Sequence, residues 1–109
     1  MNKNILKQMQ KMQQKMQMDL ASAQKELEES TVEGMSGGGA VKIVMTGSQE
    51  IKSVKISKDA VDPEDVETLE DLVMVAFKDA LAKSRDLSNS RMGKVTAGLN
   101  LPSGLSGLF

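Results

Sequence analysis

The chain has 109 residues, with 14 Lys and Arg against 15 Asp and Glu and with neither cysteine nor histidine. That length suits one domain with a modest core and leaves little for a deep substrate cleft, so a binding module is expected before an enzyme. The missing cysteines exclude a disulfide framework and a thiolate metal site, and suit a reducing cytoplasm.

The first residues carry charge where a signal peptide carries an apolar run, and no stretch approaches the length that spans a bilayer. A soluble intracellular protein with no membrane contact is therefore expected. The net charge of −1 predicts no polyanion partner by itself, so the distribution of charge has to carry any such reading.

From Asn2 to about Glu29 there is no proline or glycine, and Ile5, Met9, Met12, Met16, Leu20, Ala23 and Leu27 step by 4, 3, 4, 4, 3 and 4. The mean step, about 3.67, predicts one amphipathic helix of roughly 40 Å, its apolar residues within about 80° on the wheel. Lys3, Lys7, Lys11 and Lys15 centre about 160° away, with no acidic residue before Asp19. A lysine face is commonly just a solvated face. Here, however, like charges at i,i+4 repel one another, and they crowd the helix N-terminus, where the macrodipole disfavours cations. An anionic partner would offset both costs.

The pattern then changes to period two. Residues 30–35, 40–46 and 50–57 are short, rich in β-branched residues and separated by glycine-bearing turns, which predicts a three-stranded antiparallel meander. Gly37, Gly38 and Gly39 lack the following Gly-Lys-[Ser/Thr] of a phosphate loop and are read as a hairpin connection. Val41, Ile43 and Met45 share one face, as do Val54 and Ile56, leaving Lys42, Lys52 and Lys55 as candidates for an open face.

Asp62-Pro63-Glu64-Asp65 announces a second helix, with Asp62 as the expected cap and Pro63 at the first helical position. The apolar residues that follow, Val66, Leu69, Leu72, Val73, Ala76, Phe77, Ala80, Leu81 and Leu87, cover roughly half the wheel, more than the stripe that seats a helix on one layer. Such a face needs more than one partner, and a homodimer supplies it, with Val66, Leu69, Leu72, Val73, Phe77 and Ala80 as candidate contacts. The alternative is a monomer whose second helix packs between the first helix and the sheet; so short a chain then assembles little core.

The array GGGAVKIVMTGSQEIKSVKIS, DPEDVETLEDLVMVAFKDALAKS and GLNLPSGL resembles the YbaB/EbfC family of small bacterial nucleoid-associated proteins over nearly the whole chain. The resemblance implies an α+β protomer of α-β-β-β-α order and a homodimer with projecting, tweezer-like helices. It also implies binding of double-stranded DNA with limited or variable sequence preference, and a part in nucleoid organisation and gene regulation. It supplies no motif that transfers residue by residue, so candidate contacts come from charge placement.

The second helix is acidic at its start (Asp59, Asp62, Glu64, Asp65, Glu67, Glu70, Asp71) and mostly basic at its finish (Lys78, Lys83, Arg85, Arg91, Lys94 against only Asp79 and Asp86). If the two helices pack antiparallel, the basic start of the first lies beside the basic end of the second. Lys3, Lys7, Lys11, Lys15, Lys83, Arg85, Arg91 and Lys94 are then the candidate DNA contacts, meeting phosphates whatever the base sequence. With Phe77 and Phe109 its only aromatic residues, the chain lacks a stacking platform for single strands, so duplex is expected.

Residues 1–98 are read as the DNA-binding domain. Residues 99–109, with Leu99, Leu101, Leu105, Leu108 and Phe109 among glycines, are read as a flexible or docking tail. No enzyme, cofactor, metal site or small-molecule substrate is expected: catalysis would rest on carboxylates, lysine or serine, and the acids here suit a helix start, without the alternation of an EF-hand loop. The rival functional reading is a dimeric adaptor that holds a partner protein through its helices or tail.

Overall fold

The computed structural model describes residues 3–98. They form α1 (Lys3–Glu29), β1 (Thr31–Ser36), β2 (Val41–Thr46), β3 (Ile51–Ile56) and α2 (Val66–Gly98), with 3-10 turns at Gly37–Gly39 and Lys58–Ala60. The sheet is antiparallel in the order β1-β2-β3. This is the α-β-β-β-α arrangement expected from the sequence. The three glycines of the first hairpin have φ of 59°, 67° and 96°, a conformation that side chains resist.

Two local readings are corrected. The cap of α2 is Asp65, whose carboxylate accepts the Thr68 N–H at 3.4 Å and the Thr68 hydroxyl at 2.6 Å. Asp62 instead closes a β-turn: its carbonyl accepts the Asp65 N–H at 2.9 Å and its carboxylate the Glu64 N–H at 2.9 Å. Pro63 occupies the second position of that turn, where its fixed φ is equally welcome, so Asp-Pro marked the turn and the next Asp took the cap. The second correction concerns the stretch from Lys94 onward, KVTAGLNLPSGLSGLF, whose glycines argue against a stable helix; its first residues, 94–98, are helical nonetheless. They continue α2, which runs to Gly98.

The core lies between β2 and α2. Val41, Ile43 and Met45 are buried against Ala76 and Ala80, with Val32, Leu69, Leu72, Val73 and Leu81 packed around them. The helix does not cross the middle of the sheet; it lies over β1 and β2. Gly34 on β1 permits this. A Cβ there would collide with the Ala76 carbonyl oxygen and the Ala80 backbone nitrogen, and would come within 2.6 Å of the Ala80 Cβ.

Polar bonds fix the same offset. The Met35 N–H on the free edge of β1 donates to Asp79 at 3.0 Å, and Lys83 Nζ donates to the Glu33 carbonyl at 2.9 Å. Asp79 and Lys83, one turn apart on α2, also pair with each other at 3.1 Å. The Ser36 hydroxyl donates to the Leu72 carbonyl at 2.5 Å. The edge of β1 is thus stitched to α2 and blunted as a pairing template.

On the other side the sheet is uncovered. Val54 and Ile56 sit opposite Ile43 and Val41 and so share the core face, yet Ile51, Val54 and Ile56 are 48%, 49% and 42% exposed.

A second junction joins α1 to this unit. The Gly47 N–H donates to the Leu27 carbonyl at 2.9 Å, satisfying the end of α1, and the buried Ser84 hydroxyl on α2 donates to the Thr46 carbonyl at 2.7 Å. Gly47 lies so close to Leu27 that a Cβ would stand 2.7 Å from its side chain and 3.1 Å from that of Leu87. The β2–β3 turn is therefore the seat on which α1 leaves the domain.

Two outcomes follow from these contacts. Gly34→Ala should destabilise the fold by about 3 kcal/mol, the upper end of overpacking costs, because the clash is with helix backbone rather than a movable side chain; chemical denaturation measures it. The Asp79 carboxyl is held below its ordinary value of 3.8 by the Met35 N–H and then by Lys83. A depressed carboxylate pKa stabilises the fold above the unfolded-state value, and that contribution is lost as pH falls through the folded-state pKa. Asp79→Asn should accordingly be less stable than the parent at neutral pH, with the two denaturation midpoints converging as the pH drops below 3.8.

Candidate nucleic-acid interface

Lys3, Lys7, Lys11 and Lys15 are carried by the exposed first part of α1. Every residue from Lys3 to Met18 is exposed, and Asp19 is the first that is not. At 1.5 Å per residue the four lysines span about 18 Å, in steps of about 6 Å. The geometry is that of a charged arm, and its sequence supplies the stiffness: residues 3–18 consist mainly of Lys, Gln, Met, Leu and Ile and contain no glycine or proline.

The position of this arm relative to α2 follows from the contacts of its base. Arg91 pairs with Glu26 at 3.0 Å, Leu27 and Leu87 flank Gly47, and Ala23 and Leu27 are buried. The helices thus run antiparallel from the junction. Seven residues of α2 follow Arg91, about 10 Å of helix, so Gly98 lies level with about residue 19 of α1. Lys15 is then about 6 Å beyond the end of α2 and Lys3 about 24 Å beyond it.

The eight candidate DNA contacts do not form one cluster. Lys83 lies against the edge of β1, engaged by Asp79 and the Glu33 carbonyl, and Arg91 is engaged by Glu26 near the base of α1. Arg85 and Lys94 are exposed on α2. Antiparallel packing was the right premise, but the longer reach of α1 carries its basic start past the basic end of α2 rather than beside it. On the outer face of the sheet, Lys42 and Lys55 stand opposite each other, and Lys52 is drawn 3.9 Å from Glu50.

The expected dimer contacts also divide. Leu69, Leu72 and Val73 are half-buried against the sheet, and Ala80, wholly buried under β1, offers no surface to a second copy. Val66 and Phe77 remain exposed, as do Met74 and Val75, which the wheel did not single out. Asp79 and Lys83 face the β1 edge, so Val66 and Phe77, some 100–160° further round the helix, belong to the side above β3. That side of α2 and the core-side face of β3 both leave apolar side chains exposed. Helix periodicity alone could not locate this side, since the offset of α2 over the sheet decides which apolar residues are used within the protomer.

No helix among the described residues is long and apolar enough to cross a membrane, and no group of three or more carboxylates among them could hold a metal ion.

A family model described as the YbaB/EbfC DNA-binding family matches residues 1–99. Proteins named as nucleoid-associated in Bacillus cereus strain B4264 and Bacillus thuringiensis strain Al Hakam are 55% and 54% identical over 87 residues, 80% of this chain and 80% of each relative. The crystal structure of an uncharacterized protein from Helicobacter pylori is similar with a TM-score of 0.66 at 19% identity, covering 91% of this chain and 98% of that one, which shows a shared fold. With a match across almost its full length and relatives more than half identical to it, this chain belongs to the YbaB/EbfC DNA-binding family.

Proposed function

We propose that the protein is a homodimer that binds duplex DNA through the lysine stripes of two projecting α1 arms, with little sequence preference, and so contributes to nucleoid organisation and gene regulation. The observation that carries this reading is the arm itself: sixteen consecutive exposed residues, 3–18, with four lysines and no acidic residue. In the body, Lys83 pairs with Asp79 and Arg91 with Glu26. Along the arm the chain provides no counterpart before Asp19. Phosphates at the flank of a duplex would supply it, through contacts that position the protein without reading bases. The family and the names of the relatives point the same way.

The dimer is supported by the uncovered surface. Ile51, Val54 and Ile56 on β3 and Val66, Met74 and Phe77 on α2 leave half of a sheet face and the flank of a helix in water. The edge of β1 is already blunted, so a second copy would enter from the β3 side. Two arms then leave one body, and their lysines act together on one duplex. Each arm adds its own counterion release, which makes affinity steeply dependent on salt.

Replacing Lys7, Lys11 and Lys15 together by Gln tests this. Gln keeps much of the helix propensity of Lys, and like-charge repulsion is relieved, so the arm should remain helical by circular dichroism. Sedimentation should report about twice the 11.8 kDa chain mass for both proteins. Binding to random-sequence duplex should weaken, and the plot of log affinity against log salt should flatten by about 0.9 per lost contact, up to roughly 5 for the six sites of a dimer. Equal slopes for two folded dimers would reduce the stripe to a solvated face.

A further inference from the structure

The face of α1 opposite the lysines is apolar and open. Ile5, Met9, Met12, Met16 and Leu20 stand on the same side of the helix as the buried Ala23 and Leu27, yet are 52%, 58%, 55%, 37% and 38% exposed. Side chains of this size in a contiguous row are costly to leave in water and mark an interaction surface. The seam between the two helices covers Ala23 and Leu27, and it ends where α2 ends, level with about residue 19. Ile5 through Met16 lie beyond it.

We propose that a second copy of this chain covers the row, the two arms pairing antiparallel about a two-fold axis between residues 10 and 11, with Ile5 opposite Met16 and Met9 opposite Met12. Three features of the row favour a second copy over an unrelated protein. Its spacing is symmetric: Ile5, Met9, Met12 and Met16 step by 4, 3 and 4, which reads the same from either end, as a surface that meets itself across a two-fold axis must. Its borders are neutral, with Gln8 on one side and Leu6 and Gln13 on the other. The nearest lysine, Lys15, is about 90° from the centre of the row, and in this register it meets Asn4 and Gln8 of the second arm rather than another charge. Finally, its length fits. Lys3 of the second arm stands level with residue 18 of the first, just short of the end of α2 at about residue 19. The second arm thus takes up the seam where α2 leaves it, and methionine, flexible and polarizable, suits packing against its own kind.

Four side chains per arm, over about 17 Å of helix, bury only a few hundred Å² in total, well under the roughly 1,200 Å² of a stable interface. One pair of arms is therefore a weak contact that depends on concentration. Antiparallel arms hold their two bodies at opposite ends, so the copies joined in this way belong to different β3-built dimers. The pairing itself requires neither that dimer nor DNA. Where both hold, pairing changes the valence of the assembly. The lysines, about 160° from the row, face outward on both sides of the pair, so that two duplex segments are held across one pair of arms.

Sedimentation of the full-length protein without DNA tests the contact. From micromolar to millimolar concentration the mass should rise to at least twice its starting value. Met9→Gln with Met12→Gln, both exposed and remote from the core, should hold it at that starting value while the arm stays helical by circular dichroism. Since the chain has no cysteine, orientation is read from nitroxides attached singly at Lys3→Cys, Lys11→Cys or Met18→Cys, all on the side away from the row. Spin–spin distances that the two glutamines abolish should be shortest at position 11 and longer at 3 and 18, where the paired labels are offset by about 22 Å along the arms. Equal distances at all three positions would mean parallel arms and overturn the proposal. A mass that stays constant, or a rise that the glutamines do not prevent, would overturn it as well and leave the row to another occupant.

Discussion

The contact of Gly34 with Ala76 and Ala80 sets the rest of the molecule. Where a side chain on β1 would hold a helix roughly 10 Å from a sheet, glycine facing two alanines lets α2 settle directly on the β1 backbone. Settling there displaces the helix from the centre of the sheet, and the bonds of Asp79 and Lys83 to the β1 edge hold it in that place. Two consequences are coupled. The edge that could have recruited another strand is closed, and the apolar face of β3 is left open. A small domain tolerates such an open face poorly, since it already buries a modest fraction of its surface. Association with a second copy is the economical remedy, and it would be built on the surface that the offset leaves unused.

The same body carries the arm. The bond from Gly47 to the Leu27 carbonyl and the burial of Leu27 and Ala23 fix the last turns of α1 against the β2–β3 turn and α2, while its first sixteen described residues are exposed. A helix of high intrinsic propensity can keep its direction over that distance where a loop would not. Repulsion among the four lysines costs the free arm a few tenths of a kcal/mol per neighbouring pair, a cost that phosphate contacts would reverse. The near-neutral total charge therefore says little about binding: the acids lie mainly on the body and the lysines of α1 mainly on the arm.

Much of this was legible in the sequence because the periodicities are strong and local. The 3.67-residue step of Ile5 through Leu27 defined α1, and the alternation around Val41, Ile43 and Met45 defined the buried face of β2. Each predicted strand starts one residue early, a small error because glycine turns separate β1 from β2 and β2 from β3. What the sequence hid depends on tertiary placement. Asp79 and Lys83 look like an ordinary surface i,i+4 pair until the register of β1 puts an open N–H and carbonyl in front of them. Leu69 and Val66 look equivalent on a wheel, but the offset of α2 buries the first and exposes the second. Asp62 reads as the cap from sequence, but Pro63 suits a turn there and Asp65 takes the cap instead. The basic residues of α2 were grouped with those of α1 on charge alone, whereas the relative lengths of the helices beyond the junction separate them.

The central claim is that the arm, and not the sheet or the body of α2, meets DNA. Mapping backbone amide chemical-shift changes as random-sequence duplex is titrated into the full-length protein tests it most directly. Changes that concentrate on residues 3–18, with β3 and the start of α2 unmoved, are expected. Changes centred on Lys42 and Lys55 of the outer sheet face, with the arm signals unaltered at saturation, would contradict it.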